Sequence, residues 1–195
     1  VAINIASNCN GRGIPALNFA VITGTTSPDH RVFGEYNGAG LYTSGAVTAT
    51  NSAFRNNIAD GDGGGLYVGS TAELTRVDLV NNKSDVGGGM LVVGVSRITQ
   101  GIVSNNRAAD GTLMENSGGG IATYSAASIS GTHFISNSAT VYGGGVFMFL
   151  IMSVSDAAIT NTTFQSNTAT AGGGMLTLSG STIGIANSRF IANTA

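Results

Sequence analysis

A six-fold internal repeat constrains this chain more than any other feature. Each unit opens on a glycine triplet and an aliphatic residue, as in Gly63-Gly64-Gly65-Leu66, Gly87-Gly88-Gly89-Met90, Gly118-Gly119-Gly120-Ile121, Gly143-Gly144-Gly145-Val146 and Gly172-Gly173-Gly174-Met175. Gly38-Ala39-Gly40-Leu41 is a slightly degenerate earlier copy. About fourteen residues on, a large apolar residue is followed by two variable positions and Asn. These partner motifs read Phe54-x-x-Asn57, Leu79-x-x-Asn82, Ile102-x-x-Asn105, Phe134-x-x-Asn137, Phe164-x-x-Asn167 and Phe190-x-x-Asn193. Self-similarity at such a period marks a solenoid, in which each unit completes its core only against its neighbours.

Successive triplets stand 25, 24, 31, 25 and 29 residues apart, so the unit is 24–25 residues with insertions. One insertion is read at Arg107 to Ser117, and another between Gly145 and Phe164. Within a unit, segments such as Glu73-Leu74-Thr75-Arg76-Val77-Asp78-Leu79 alternate apolar with polar residues, the period of a half-buried strand. Gly, Asn and Ser divide each unit into two or three such strands. No amphipathic helical stretch and no recurring leucine consensus is present. Three short strands per coil describe a parallel β-helix, an all-β solenoid of six to seven coils and a rod of about 30 Å at strand spacing.

The two motifs have separate jobs in such a coil. Leu41, Leu66, Met90, Ile121, Val146 and Met175 point inward, as do the column beginning at Phe54 and the threonines Thr43, Thr123 and Thr177. The glycines supply positive φ and close backbone approach at a corner. Asn57, Asn82, Asn105, Asn137, Asn167 and Asn193 form a structural column at a turn, tolerant of the left-handed conformation and able to pair amide to amide along the rod.

Composition narrows the function. Charged residues are 9% of the chain and the net charge is −2, which offers no field for nucleic acid or an anionic membrane. The longest apolar run, Val146 to Met152, is far too short to span a bilayer. Cys9 has no second cysteine to pair with inside the chain, so it is a free thiol or pairs elsewhere. Residues 1–37 read as degenerate first coils and a loop, with Ile5-x-x-Asn8 and Gly11-Arg12-Gly13-Ile14 as worn motifs; 38–195 read as six repeats of one continuous solenoid, a piece of a longer array.

The recurrence of a Gly-Gly pair with a following aliphatic residue, in order with Phe-x-x-Asn, resembles the repeats of the polymorphic outer membrane proteins, a family that includes large surface-displayed autotransporter adhesins. The resemblance covers about residues 38–195. It departs in the third Gly, where the family often has Ala, and at Leu79 and Ile102, where it often has Phe. It implies a right-handed parallel β-helix, secreted or at the cell surface, that serves adhesion or structure, and it carries over no catalytic residue.

No catalytic residue, cofactor or metal site is expected. Asp60-Gly61-Asp62 reads as an Asx-rich turn, or else a loop cation site. His30 and His133 stand alone. Two sequons occur, Asn82-Lys83-Ser84 and Asn161-Thr162-Thr163; the first belongs to the turn column, so Asn161 is the expected glycosylation site. By alternation Tyr42, Tyr67, Leu91, Ala122, Phe147 and Leu176 face outward as an apolar ladder, either an interaction face or a surface covered by the chain's own loops. The resulting expectation is a non-enzymatic structural or adhesive module of an extracellular assembly, whose partners are proteins or further copies of itself and possibly glycans. A carbohydrate-binding or carbohydrate-active β-helix is the alternative, and requires carboxylates converging on one face.

Overall fold

The computed structural model describes residues 14–18, 21–23, 26–27, 31–32, 35–109, 116–149, 157–178 and 182–195, with side chains from residue 37 onward. Cys9, the two motifs before residue 14, His30 and the end of the apolar run at Leu150 to Met152 lie outside the described residues. Every described element is a strand, and the chain winds as a parallel β-solenoid.

Three parallel sheets form its faces. The first stacks Leu41–Thr43, Leu66–Val68, Met90–Val92, Ile121–Thr123, Val146–Phe149 and Met175–Leu178 in chain order. The second carries the longer face of each coil, for example Val47–Arg55 against Ala72–Val80, then Ser96–Thr99 and Ile102–Ser104. The third stacks the two-residue strands Thr26–Ser27, Ile58–Ala59, Lys83–Ser84, Arg107–Ala108 and Ser138–Ala139. The six strands of the first sheet bound five full turns, fewer than the six to seven coils expected. The shortfall lies ahead of Leu41: strands Ile14–Asn18 and Val21–Thr23 join the second sheet, but Arg31–Val32 and Glu35–Tyr36 pair antiparallel with each other. The first insertion is also shorter than read, because Arg107–Ala108 stays in the third sheet.

Stacking like on like builds the core. Leu41, Leu66, Met90, Ile121 and Val146 are buried on one wall, and Phe54, Leu79, Phe134 and Phe164 on another. Phe134 and Phe164 stack at 4.9 Å with planes 7° apart, and Phe164 and Phe190 at 4.6 Å and 5°. Each coil presents its neighbour with nearly the same cross-section, and apolar area removed from water is the main source of stability. Thr43 and Thr123 face inward as expected and are fully buried.

One coil departs from the motif as read. Val103, not Ile102, pairs with Leu79 and Phe134, and it is 1% exposed where Ile102 is 43% exposed. A one-residue shift in a strand sends every side chain to the opposite face, so the structural asparagine of this coil is Asn106 and Asn105 faces solvent. The first glycine of the triplet lies sixteen positions before the core residue in the pairs 38 and 54, 63 and 79, and 118 and 134; the same count from Gly87 reaches Val103.

The corrected column runs Asn57, Asn82, Asn106, Asn137, Asn167, Asn193. Each side-chain Nδ2 donates to the Oδ1 of the next asparagine at 2.9–3.0 Å. The same Oδ1 also accepts the backbone N–H of the preceding asparagine. The second amide proton goes back to a core carbonyl, as from Asn106 to Leu79 at 2.8 Å. Buried amides are therefore satisfied along the whole ladder. The left-handed conformation belongs to the residue before each ladder asparagine: Asn56, Asn81, Asn105, Ser136, Ser166 and Ala192 have φ of 49–57°. A second left-handed column, Asn51, Arg76, Gln100, Gly131, Asn161 and Asn187, bends the long face three residues before each core residue.

The triplet 118–120 shows why glycine recurs. Gly118 has φ of 68°, in the region that side chains oppose. A Cβ on Gly119 would meet the Gly144 carbonyl at 2.5 Å, and one on Gly120 would meet the Gly145 carbonyl at 2.5 Å. The first glycine is a turn requirement; the other two let adjacent coils touch backbone to backbone.

Candidate functional site

The scaffold columns leave the outer surface as the place where function can reside. The predicted outward column is in register: Tyr42 beside Tyr67, then Leu91, Ala122, Phe147 and Leu176. It is not an open ladder. Leu91, Ala122 and Phe147 are 1%, 0% and 5% exposed, and Tyr42 is 9% exposed. Leu91, Ala122 and Phe147 form a second apolar cluster outside the coil, with Val86 and the half-buried Tyr67, Tyr124, Tyr142 and Leu176. Alternation correctly gives the side on which these residues lie, but Val86 and the two tyrosines fold over that side.

What remains accessible is an aromatic rim. Tyr142 stacks on Phe147 at 5.8 Å, Phe147 on Phe149 at 6.2 Å, and Tyr124 meets Phe149 edge-on at 6.3 Å. Tyr42 and Tyr67 stack at 5.0 Å. Burial pushes the Tyr42 hydroxyl above its ordinary pKa by desolvating the phenolate. Phe149 is 38% exposed and Leu178 39%. Rigid aromatic rings with one free edge are the groups that anchor protein contacts at low entropic cost.

The two sequons differ as their positions imply. Asn82 is 1% exposed, and its amide is held by Phe54 and Asn106. Asn161 is exposed on the left-handed bend, at φ of 50°. Arg76 and Gln100 occupy the same position in their coils and are also exposed, so long side chains leave the rod there.

Acidic residues do not converge into a large cluster among the described residues. No group of three or more His, Cys, Asp and Glu is placed to hold a metal there. Asp78 is bound to Arg55 at 2.8 Å. The backbone N–H of Asp62 donates to the Asn37 side chain at 2.7 Å, which makes that segment a tied turn. Asp60 and Asp85 line a small hollow of about 130 Å³ together with Lys83. His133 is exposed.

Residues 51–69 match the family model of the Chlamydia polymorphic membrane protein repeat. The match covers one unit of the repeat array. The matched polymorphic membrane protein repeat takes in the bend at Asn51, core Phe54, ladder Asn57 and the corner Gly63-Gly64-Gly65. The other coils rebuild those parts in the same order, with Val103 and Asn106 in place of the usual core and ladder positions of the motif as read. No curated protein and no solved structure matches the chain.

Proposed function

We propose that this chain is a non-enzymatic structural and adhesive module of a cell-surface assembly, acting as a stiff rod with an aromatic rim. The observation that carries the proposal is the asparagine ladder, which joins every coil to the next through buried, fully satisfied amides. Together with parallel backbone pairing on three faces, it resists local opening, because no coil can swing out without orphaning its neighbour's buried donors. The polymorphic membrane protein repeat supports placement at a cell surface. The rim of Tyr67, Tyr124, Tyr142 and Phe149 supports contact with a protein partner or another copy of the rod.

Sedimentation of the purified chain over a range of concentrations tests the assembly. The wild type self-associates, and the double variant Tyr67→Ser, Phe149→Ser sediments as a monomer with an unchanged β-sheet spectrum. A wild-type rod that stays monomeric and dispersed at every concentration overturns self-assembly through this rim.

A further inference from the structure

The rod carries a polar groove on a different face from the aromatic rim. It runs along the corner between the second and third sheets and encloses about 450 Å³. One wall is the left-handed column Asn56, Asn81, Asn105 and Ser136. The other is the first residue of each two-residue strand: Ile58, Lys83, Arg107 and Ser138. Four consecutive coils contribute, so the groove is roughly 14 Å long at the spacing of adjacent strands.

We propose that this groove binds an acidic oligosaccharide laid along the rod axis. Its volume is within the range of small-molecule and cofactor sites, about 300–1,000 Å³. Side-chain amides both donate and accept, which suits the hydroxyls of a sugar chain. Asn56, Asn81 and Asn105 are exposed and repeat at one coil step. Asn81 donates to the Oδ1 of Asn56 at 2.7 Å, which orders that wall before any ligand arrives. Their backbones are held at φ of 54–57°, so the wall is fixed by the fold itself.

Charge selects the ligand class. Lys83 and Arg107 are register partners on adjacent strands at the middle of the groove. The guanidinium of Arg107 offers a planar fork to a carboxylate, and Lys83 a point charge beside it. Asp60 and Asp85 share the adjoining small hollow with Lys83. A glycan with several charges on each sugar is therefore disfavoured, and a chain with no more than one carboxylate per sugar is favoured. Among the described residues no aromatic side chain lines the groove, so it offers nucleic-acid bases no surface to stack on. The site shares no residue with the aromatic rim, and its proposal stands or falls without it.

Calorimetric titration with tetragalacturonate, maltotetraose and a hexa-aspartate peptide, backed by amide chemical-shift mapping, tests the assignment. Tetragalacturonate binds and shifts the side-chain amides of Asn81 and Asn105; maltotetraose and the peptide bind about tenfold more weakly or not at all. Arg107→Ala weakens tetragalacturonate binding by about tenfold or more, whereas Arg97→Ala, at an exposed cation elsewhere on the rod, leaves it unchanged. Both are surface changes, and a retained β-sheet spectrum confirms folding. Equal binding by Arg107→Ala, shifts that map away from this groove, a preference for the peptide, or no binding to tetragalacturonate would each overturn the proposal.

Discussion

The side-chain amide of Asn82 donates to that of Asn106, with Nδ2 and Oδ1 3.0 Å apart across 24 residues of sequence. The pair is one rung of a ladder, and the Asn106 side chain makes four bonds at once: it accepts from the backbone and side chain of Asn82 and donates to the Leu79 carbonyl and to Asn137 Oδ1. Removing it strands buried groups on two coils. Asn106→Ala should cost about 3 kcal/mol, since each buried group left unsatisfied costs about 1–3 kcal/mol. Asn105→Ala should cost only about 1 kcal/mol, the strain of an alanine in the left-handed conformation that Ala192 also adopts. Urea unfolding of the two variants decides between them; equal midpoints would mean that the ladder does not pass through Asn106.

Gly119 leaves no room for a side chain between two coils. A methyl group there would press on the carbonyls of Ser138 and Gly144, both of them backbone atoms that cannot rotate away. Gly119→Ala should destabilise by about 4 kcal/mol, in the range reached by severe overpacking, while the core stays apolar and the charge unchanged. Thermal and urea unfolding measure the loss, and a variant as stable as the wild type would show that the coils can part at this corner.

Asn161 is exposed and Asn82 is buried, though each heads a sequon. Secretion of the chain from a eukaryotic host should therefore place a glycan on Asn161 and none on Asn82. Peptide mass spectrometry after proteolysis reads both positions. A glycan on Asn82, or a bare Asn161, would contradict the assignment.

Tyr42 makes the stability sensitive to alkali. Its folded pKa is raised above the ordinary value of 10.0 by burial, so the folded chain keeps the proton where the unfolded chain has lost it. The contribution is whole below pH 10.0 and disappears as the pH climbs from there through the folded value. Denaturant unfolding across that window should show stability falling with pH, and Tyr42→Phe should flatten the fall. Tyrosinate absorbance that rises in the folded protein at the ordinary tyrosine pKa for every tyrosine would remove the basis of this expectation.

Much of the scaffold is legible in the residues. The triplets place the corners, and the aliphatic and phenylalanine columns are buried where alternation puts them as far as Val146 and Phe164, while Met175 is half-buried and Phe190 is 47% exposed in the last coil. The coil around residue 103 shows where reading fails. Ile102 and Val103 are both apolar, and Asn105 and Asn106 are adjacent, so the local motif fits either register. Only the sixteen-residue offset from the first glycine separates them in the sequence, and the pairing of Val103 with Leu79 and Phe134 resolves it.

The repeat by itself determined the solenoid, the unit length, the apolar columns and the presence of an amide ladder, because those properties follow from residues whose spacing the fold must repeat. Tertiary structure decided what lies over the outer surface. Leu91, Ala122 and Phe147 are on the outward side as alternation requires, yet the cluster with Val86, Tyr124 and Tyr142 takes them out of solvent. It also formed the groove that joins Asn81 and Asn105 to Lys83 and Arg107. Such neighbours come from different coils, so their proximity is set by stacking in three dimensions, which a period along the chain does not record.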